Sequence, residues 1–428
     1  MCTIRLTAAL ATQMHRTSEM TRVVFYNHTA EISGAEKMLL VLLANLPRTA
    51  FELELVCPEG GPLPGAAADL GVPIHICPRV DARYTWNPLQ LCRYAWFLLC
   101  SLRALRKQLI GRRPDIIHAN TVRAGIFATL ATAGTNTTLV WHVHDMLPAH
   151  PITAAIHILA YSSARIHIVA CSAAAAKTLQ PIFPMTRRPA IVHNGLNVQC
   201  SAFEESTRGA KREELGLDPE TFAIGIVGQL TPRKGQLELI HAFAKVRAQL
   251  SNATLLICGA PQFNNDVEYL ARLRGEVRLQ RLESDVRFLG YRTDAREVIR
   301  ALDLCVVNSK AEPFGLTLIE SMCVGTPVVS TDNGGACEIV RHGIEGELVK
   351  FGDEALMIST IVRLAKDAQT RNRYRAAGIA RVQEAFTTSH YIAKWCSLYR
   401  RLHLHRTSAN ECGTPHNAEA QLEMRGPQ

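Results

Sequence analysis

The stretch Ala311-Glu312-Pro313-Phe314-Gly315-Leu316-Thr317-Leu318-Ile319-Glu320-Ser321 carries two carboxylates separated by seven residues. Leu316, Leu318 and Ile319 read as the start of a buried helix. Pro313 suits a first helical turn, where its missing N–H would be unpaired anyway, and Gly315 lets backbone come close to a ligand. The N–H groups of Phe314, Gly315, Leu316 and Thr317 then point at whatever occupies the helix start. That end of a helix carries roughly half a positive charge, so an anion is its natural guest, phosphate above all. Glu312 is left beside the anion as a hydrogen-bond acceptor, suited to sugar hydroxyls. Glu320 lies about two turns on, on roughly the same face, and reaches a different part of the same ligand.

A second segment supplies cations. Phe222 to Val227 reads as a strand, followed by Gly228 and then Gln229-Leu230-Thr231-Pro232-Arg233-Lys234-Gly235. Strand, glycine, basic pair and glycine aim Arg233 and Lys234 at one pocket. Each charge-assisted hydrogen bond to phosphate is worth about 1.5–3 kcal/mol net, with Arg suited to bidentate contact and Lys to a point charge. Taken alone, the pair reads as a solvated basic turn. Near the first strand, Ser33-Gly34-Ala35-Glu36-Lys37 offers strand, glycine loop and helix, the geometry by which backbone approaches phosphate. One such glycine is as readily a structural turn. Trp141-His142-Val143-His144-Asp145 ends another strand. His144 is the site candidate there, and His142 reads as structural. A His-x-His metal pair finds no third ligand in the sequence.

Taken together and in order, these segments resemble the family 4 retaining glycosyltransferases, the Glu-x7-Glu group with the GT-B fold. The resemblance covers residues 21 to about 404 and is strongest from 222 to 349. It implies that Glu312 and His144 contact the donor sugar, that Glu320 binds the ribose of the nucleotide, and that the backbone of Phe314, Gly315, Leu316 and Thr317 holds the diphosphate together with Arg233 and Lys234. It sets Gly34 opposite the donor phosphates, from the other domain, and Gly228 in the donor domain's own phosphate loop. It puts Tyr291 and Arg292 beside the base. Gly334 and Gly335 form a loop next to the donor, and Glu338 opens the following helix, paired with that helix's dipole. Asn194-Gly195 matches the family's turn into the interdomain linker. Two departures stand out: Gly259-Ala260-Pro261 replaces a Gly-x-Gly loop, so this loop need not touch the donor, and Asn308-Ser309 stands where Pro-Ser is common. No paired-Asp motif lies where the phosphates would sit, so the expectation is no metal and no cofactor, the nucleotide-diphosphate sugar being a substrate.

The elements that must position these residues follow from apolar runs alternating with helical patterns, the mark of doubly wound α/β sheets with ligands at the carboxyl ends of the strands. Strands are expected at Thr21 to His28, Phe51–Cys57, Ile74–Cys77, Asp115–Ala119, Thr138–His142 and Ile166–Cys171, then at Phe222 to Gly228, Ala253–Cys258, Val286 to Gly290 and Leu304–Asn308. The expected architecture is two Rossmann-like parallel-sheet domains facing across a cleft. Residues 1–20 form a disordered extension, 21–200 an acceptor domain and 201–220 a polar linker. Residues 221–385 form the donor domain and 386–404 a helix crossing back to the first domain through Tyr391, Trp395, Leu398 and Tyr399. A disordered tail fills 405–428. Either Met1 or Met20 serves as the start.

The 428 residues carry a formal net charge of +9 with pI near 9.0, which suits anionic partners. No nucleic-acid module or aromatic–basic interleaving is present, so nucleic acid is not expected. Thirteen cysteines without a Cys-x-x-Cys pair, among them Cys57, Cys77, Cys171, Cys258 and Cys305 in apolar strands, read as buried thiols of a reducing, cytoplasmic setting. No run of about 18 apolar residues exists. Asn87–Leu109 is amphipathic and basic, with Arg93, Arg103, Arg106 and Lys107 among its apolar residues. It reads either as a core helix with solvated arginines or as a peripheral contact with an anionic membrane. The expected function is retaining transfer of a sugar from a nucleotide-diphosphate sugar to a hydroxyl of a glycan or lipid-linked acceptor, in polysaccharide, lipopolysaccharide or glycolipid synthesis. The alternatives are a silent scaffold homologue, against which the retained Glu312, Glu320, Arg233 and Lys234 argue, and a sugar-nucleotide epimerase on the same fold.

Overall fold

Short runs of Val, Ile, Leu and Phe, buried on both faces, make two all-parallel sheets. A computed structural model describes residues 20–79, 88–180, 188–196, 205–262 and 264–412. The extension before Met20, the first part of the linker and the last 16 residues (413–428) lie outside the described residues. So do the side chains of Leu89, Leu91, Arg93 and Tyr94. In the first domain the strands are β1 (Thr21–Tyr26), β2 (Phe51–Cys57), β3 (Ile74–Ile76), β4 (Ile116–Ala119), β5 (Thr138–Val143), β6 (Ile166–Ala170) and β7 (Ala190–Ile191). Their order is β3-β2-β1-β4-β5-β6-β7. The second domain has β8 (Phe222–Val227), β9 (Ala253–Cys258), β10 (Val286–Gly290), β11 (Leu304–Val307), β12 (Val328–Thr331) and β13 (Gly346–Val349), in the order β10-β9-β8-β11-β12-β13.

Both sheets reverse their winding direction once, between β1 and β4 and between β8 and β11. Register there pairs Val23 with Ile116 and Leu304 with Ile224. Such switch points open a crevice at the strand carboxyl ends. His28 and Asn120 therefore flank one crevice, and Gly228 and Asn308 the other.

Alternation along the strands sorts the core. Val24, Tyr26, Ile117, Leu139 and Trp141 pack on one face, and Val23, Phe25, Ile116 and Val140 on the other. The second face is closed by the long last helix, Thr388–Cys412, which buries Tyr391, Trp395, Leu398 and Tyr399 against the first domain as expected. The helix runs past residue 404, where the tail was expected to begin. Arg406 fixes that extension, donating to Pro114 O at 3.0 Å and Asp115 Oδ1 at 2.9 Å. The linker differs too: Glu205–Glu214 is a helix belonging to the second domain. Its polarity conceals how it packs, for Arg212 is buried and, with Arg208, grips Asp303.

The chain crosses between domains twice, and the crossings touch. Leu196 N donates to Phe386 O and Thr388 N to Leu196 O, each at 2.9 Å. Gly195 lies where a Cβ would stand 2.4 Å from Thr387 O, so only glycine permits this approach.

Candidate active site

In the second domain, β8 delivers Gly228, and a single tight turn, Pro232–Lys234, presents the basic pair. The loop after β11 is stitched to that turn. Arg233 Nη1 donates to Ala311 O at 2.9 Å, and Lys310 N donates to Arg233 O at 2.8 Å. Asn308, the departure from Pro-Ser, donates through Nδ2 to Gly235 O at 2.9 Å and so ties the same loops together. Lys234 Nζ then meets Glu312 Oε2 at 2.7 Å, and Ser309 Oγ donates to the same oxygen at 2.8 Å. Glu312 is buried. Burial opposes its ionisation, but Lys234, Ser309 and Arg233 outweigh that and hold its carboxyl below the ordinary range.

The helix that follows is Leu316–Cys323, with Gly315 as its cap at φ 113°. Pro313 therefore precedes the helix instead of occupying its first turn, because Gly315 adopts a left-handed conformation that no first-turn residue has. The first-turn N–H groups of Leu316 and Thr317 point out of the helix start. Thr317 Oγ1 approaches Val227 O at 3.4 Å, so this start lies over the end of β8. Behind it, Gly335 N donates to Glu312 O at 2.7 Å, and at Gly334 (φ +60°) a Cβ would lie 2.0 Å from that same oxygen. Glu320 is the electrostatic opposite of Glu312. Burial raises its carboxyl above the ordinary range, with Lys37, Arg296 and Lys234 only partly offsetting it.

The first domain faces this cradle. Gly34 opens the helix Gly34–Asn45, and a Cβ on it would lie 3.7 Å from Leu316 Cδ1. The glycine loop thus stands opposite the helix start, and Lys37, one turn on, acts on Glu320 across the cleft. Ser33 and Glu36 make a capping box that fixes the loop, and Glu36 also accepts from Asn27 Nδ2 at 3.1 Å. His144 follows β5. Its ring lies 3.9 Å from that of His142, which in turn packs edge-on against His118 and Trp395. Dense surroundings push the half-buried His144 imidazole down to about 3, so it is neutral at physiological pH. Beside it the exposed Asp145 carboxyl is raised by partial desolvation, while the charge of Arg233 favours its ionised form.

Glu312, Lys234, Arg233, Glu320, Gly228, Gly34, His144 and the Phe314–Thr317 backbone thus lie around one cleft. Tyr291 and Arg292 follow β10 in the second domain. Tyr291 is 72% exposed, and the Arg292 guanidinium is committed to Asp294 and Glu214 at 2.6–2.7 Å. The sequence reading missed Lys37, Ser309, Ser172 and His193. It also gave Glu338 to its own helix, whereas the Glu338 carboxylate accepts from Ala173 N, Ala174 N and His193, all in the other domain. The only signal for Ser172 was its position just after a strand.

Comparisons with known proteins bear on the family and the fold. Residues 32–199 match the model "Glycosyltransferase Family 4" and residues 207–381 match "Glycosyl transferases group 1". An Escherichia coli UDP-Gal:alpha-D-GlcNAc-diphosphoundecaprenol alpha-1,3-galactosyltransferase is 24% identical over 350 residues, 78% of this chain and 86% of that protein. A Mycobacterium leprae phosphatidyl-myo-inositol mannosyltransferase is 36% identical over 195 residues, 45% of this chain and 48% of that one. Among solved structures, Anabaena Alr3699/HepE in complex with UDP-glucose superposes with a TM-score of 0.75 at 24% identity, covering 89% of this chain and 99% of that one. The chain belongs to the family 4 glycosyltransferases and has their GT-B fold.

Proposed function

We propose that this chain is a retaining glycosyltransferase that moves a sugar from a nucleotide-diphosphate sugar to a hydroxyl of a glycan or lipid-linked acceptor. The observation that carries this reading is the convergence, at one helix start, of the Lys234–Glu312 pair and of Gly34 from the opposite domain. Arg233, Lys234 and the N–H groups at the helix start stabilise the leaving diphosphate as its charge develops. Glu312 and His144 orient the sugar, and Glu320 accepts from the ribose. A neutral His144 serves as a hydrogen-bond partner of the sugar. The acceptor attacks on the face from which the diphosphate departs, and a leaving phosphate oxygen takes its proton, so no side chain acts as general base. In this reading the cations that serve the phosphates are protein side chains, and no cofactor takes part.

A thermal-shift panel of UDP, GDP, ADP and their sugars, on wild type and Glu320→Ala, tests the donor site. A ligand at about 100 times its Kd stabilises by about 2.7 kcal/mol. One nucleotide class should stabilise wild type and act more weakly on the variant. No stabilisation by any of them would favour the scaffold reading.

The same proposal places the enzyme at the cytoplasmic face of an anionic membrane. On the helix Pro88–Ile110, Leu105 and Leu109 are buried while Trp96, Phe97 and Leu99 stand exposed beside Arg103 and Lys107. Ile152 and Ile158 are exposed on the helix Pro151–Ala160. Among the described residues no helix is long and apolar enough to cross a membrane. Vesicles containing phosphatidylglycerol should bind the protein and shift its tryptophan emission to the blue, and Trp96→Phe should remove the shift. Equal binding to purely zwitterionic vesicles, or none to either, would sink the membrane placement.

A further inference from the structure

The two domains are joined close to the cleft by side chains to which the transfer reaction assigns no role. Glu338 lies on the short helix Ala336–Ile339, which follows directly from Gly335, the residue hydrogen-bonded to Glu312 O. Its carboxylate accepts from Ala173 N at 2.9 Å, Ala174 N at 3.0 Å and His193 Nε2 at 2.8 Å. All three donors belong to the first domain. The neighbouring Ser172 Oγ donates to Pro313 O at 2.5 Å, one residue from Glu312. Residues 172–174 are thus clamped to the second domain at two points, both rigidly connected to Glu312.

The clamped segment also fixes His144. Ser172 follows β6, and His144 follows β5. The register pairs Val143 with Ala170, and Cys171 N donates to Val143 O at 3.1 Å. One strand spacing therefore separates the clamp from the histidine that faces the donor sugar. On the hinge side, Phe314 of the donor motif packs against His193 and Phe386, with ring centroids 5.9 Å apart in both pairs. The glutamate is held from below as well, since Arg381 Nη2 donates to Glu338 O at 3.2 Å.

We propose that Glu338 is a positioning residue: by holding Ala173, Ala174 and His193, it sets the distance between His144 on one domain and Glu312 on the other. It touches neither substrate nor reacting atoms and acts through the segment that carries Ser172. The inference rests on reading the cleft as the donor site. It separates two tasks. Diphosphate and ribose contacts come chiefly from the second domain and do not need the clamp. Sugar orientation needs both domains in register and does.

The test compares wild type, Glu338→Ala, Glu338→Gln, His193→Ala and the double variant Glu338→Ala/His193→Ala. The nucleotide that stabilises wild type among UDP, GDP and ADP measures donor-domain binding, and release of that nucleotide from its sugar conjugate measures turnover. Glu338→Ala should leave nucleotide affinity within about threefold while lowering kcat by about tenfold or more, since small misplacements of reacting groups are that costly. Glu338→Gln, which still accepts hydrogen bonds, should recover part of the rate. The effects of Glu338→Ala and His193→Ala should be less than additive in the double variant, because the two share one contact and His193 adds only its ring packing on Phe314 and Phe386. Hydrogen exchange supplies a readout independent of activity: the amides of Ala173 and Ala174 should lose protection in Glu338→Ala, and the peptide carrying His144 should follow. The proposal is overturned if kcat stays within about twofold of wild type. It is also overturned if nucleotide affinity falls in step with kcat, or if exchange is unchanged. Should no nucleotide bind wild type at all, the donor-site reading has failed, and the exchange data alone then decide whether the latch exists.

Discussion

Glu312 and Glu320 belong to one motif yet sit in opposite electrostatic settings, which gives each a distinct pH signature. Glu312 is held ionised by Lys234 and Ser309. Glu320 is raised by burial, and on the proposed reading a ribose donating two hydroxyls requires its carboxylate form. Nucleotide binding therefore lowers the Glu320 pKa from a raised starting point. Affinity is full above the free-state pKa and is lost as pH falls through it, beginning above the ordinary carboxylate range of about 4.3. Titrating the affinity for the nucleotide sugar, whose diphosphate has no ionisation in this range, from neutral down to about pH 4.5 should show that loss in wild type. Glu320→Gln should bind more weakly at neutral pH and show no such slope; a slope that survived in this variant would move the titrating group elsewhere. These residues were legible in the sequence because two carboxylates separated by seven residues, bracketing Pro313, Gly315 and an apolar helix start, form one local motif. Ser172, His193 and Glu338 were not. Their partners lie 141, 145 and 165 residues away in the other domain, and nothing local to any of them encodes the pairing.

At the scale of elements, the donor cradle is a set of loops pressed together more tightly than side chains permit. Gly334 is the sharpest case, with its left-handed φ and a Cβ position 2.0 Å from Glu312 O. Gly334→Ala should cost at least about 2 kcal/mol, combining backbone strain with a clash against backbone that cannot yield. That is a fall of about 4–8 °C in the second domain's melting temperature. Because the clash is with Glu312 itself, nucleotide-sugar affinity should fall more than nucleotide affinity. A variant that lost stability without that difference would show that the loop supports the fold alone. Ten of the thirteen strands were legible because parallel β-strands buried on both faces read as apolar runs; β7, β12 and β13, only two to four residues long, were not expected. The helix Glu205–Glu214 was taken for linker because its packing is polar, with Arg208 and the buried Arg212 on Asp303, and polar sequence resembles a connector until that carboxylate partner appears. The last helix outran its apolar pattern for the same reason, being secured by Arg406 on Asp115.

Across the whole molecule, the last helix makes the first domain depend on the chain that follows the second. Trp395 is fully buried, with ring centroids 4.7 Å from both His118 and His142, and His142 backs His144. The first domain is thus completed from outside its own stretch of sequence, and its half of the cleft is braced by the crossing helix. Trp395→Ala should cost about 3–5 kcal/mol. Unfolding should then separate into two steps, the first domain's transition falling by about 6–20 °C. The second domain's transition, identified by its shift with added nucleotide, should stay where it was. Because the lost ring supports His142, kcat should fall further than nucleotide affinity even at temperatures where both domains are folded. If both transitions move together, the domains form one cooperative unit and the helix stabilises the pair. If they separate as expected while kcat holds, His144 is positioned by β5 without help from the helix, and the brace is one of stability alone.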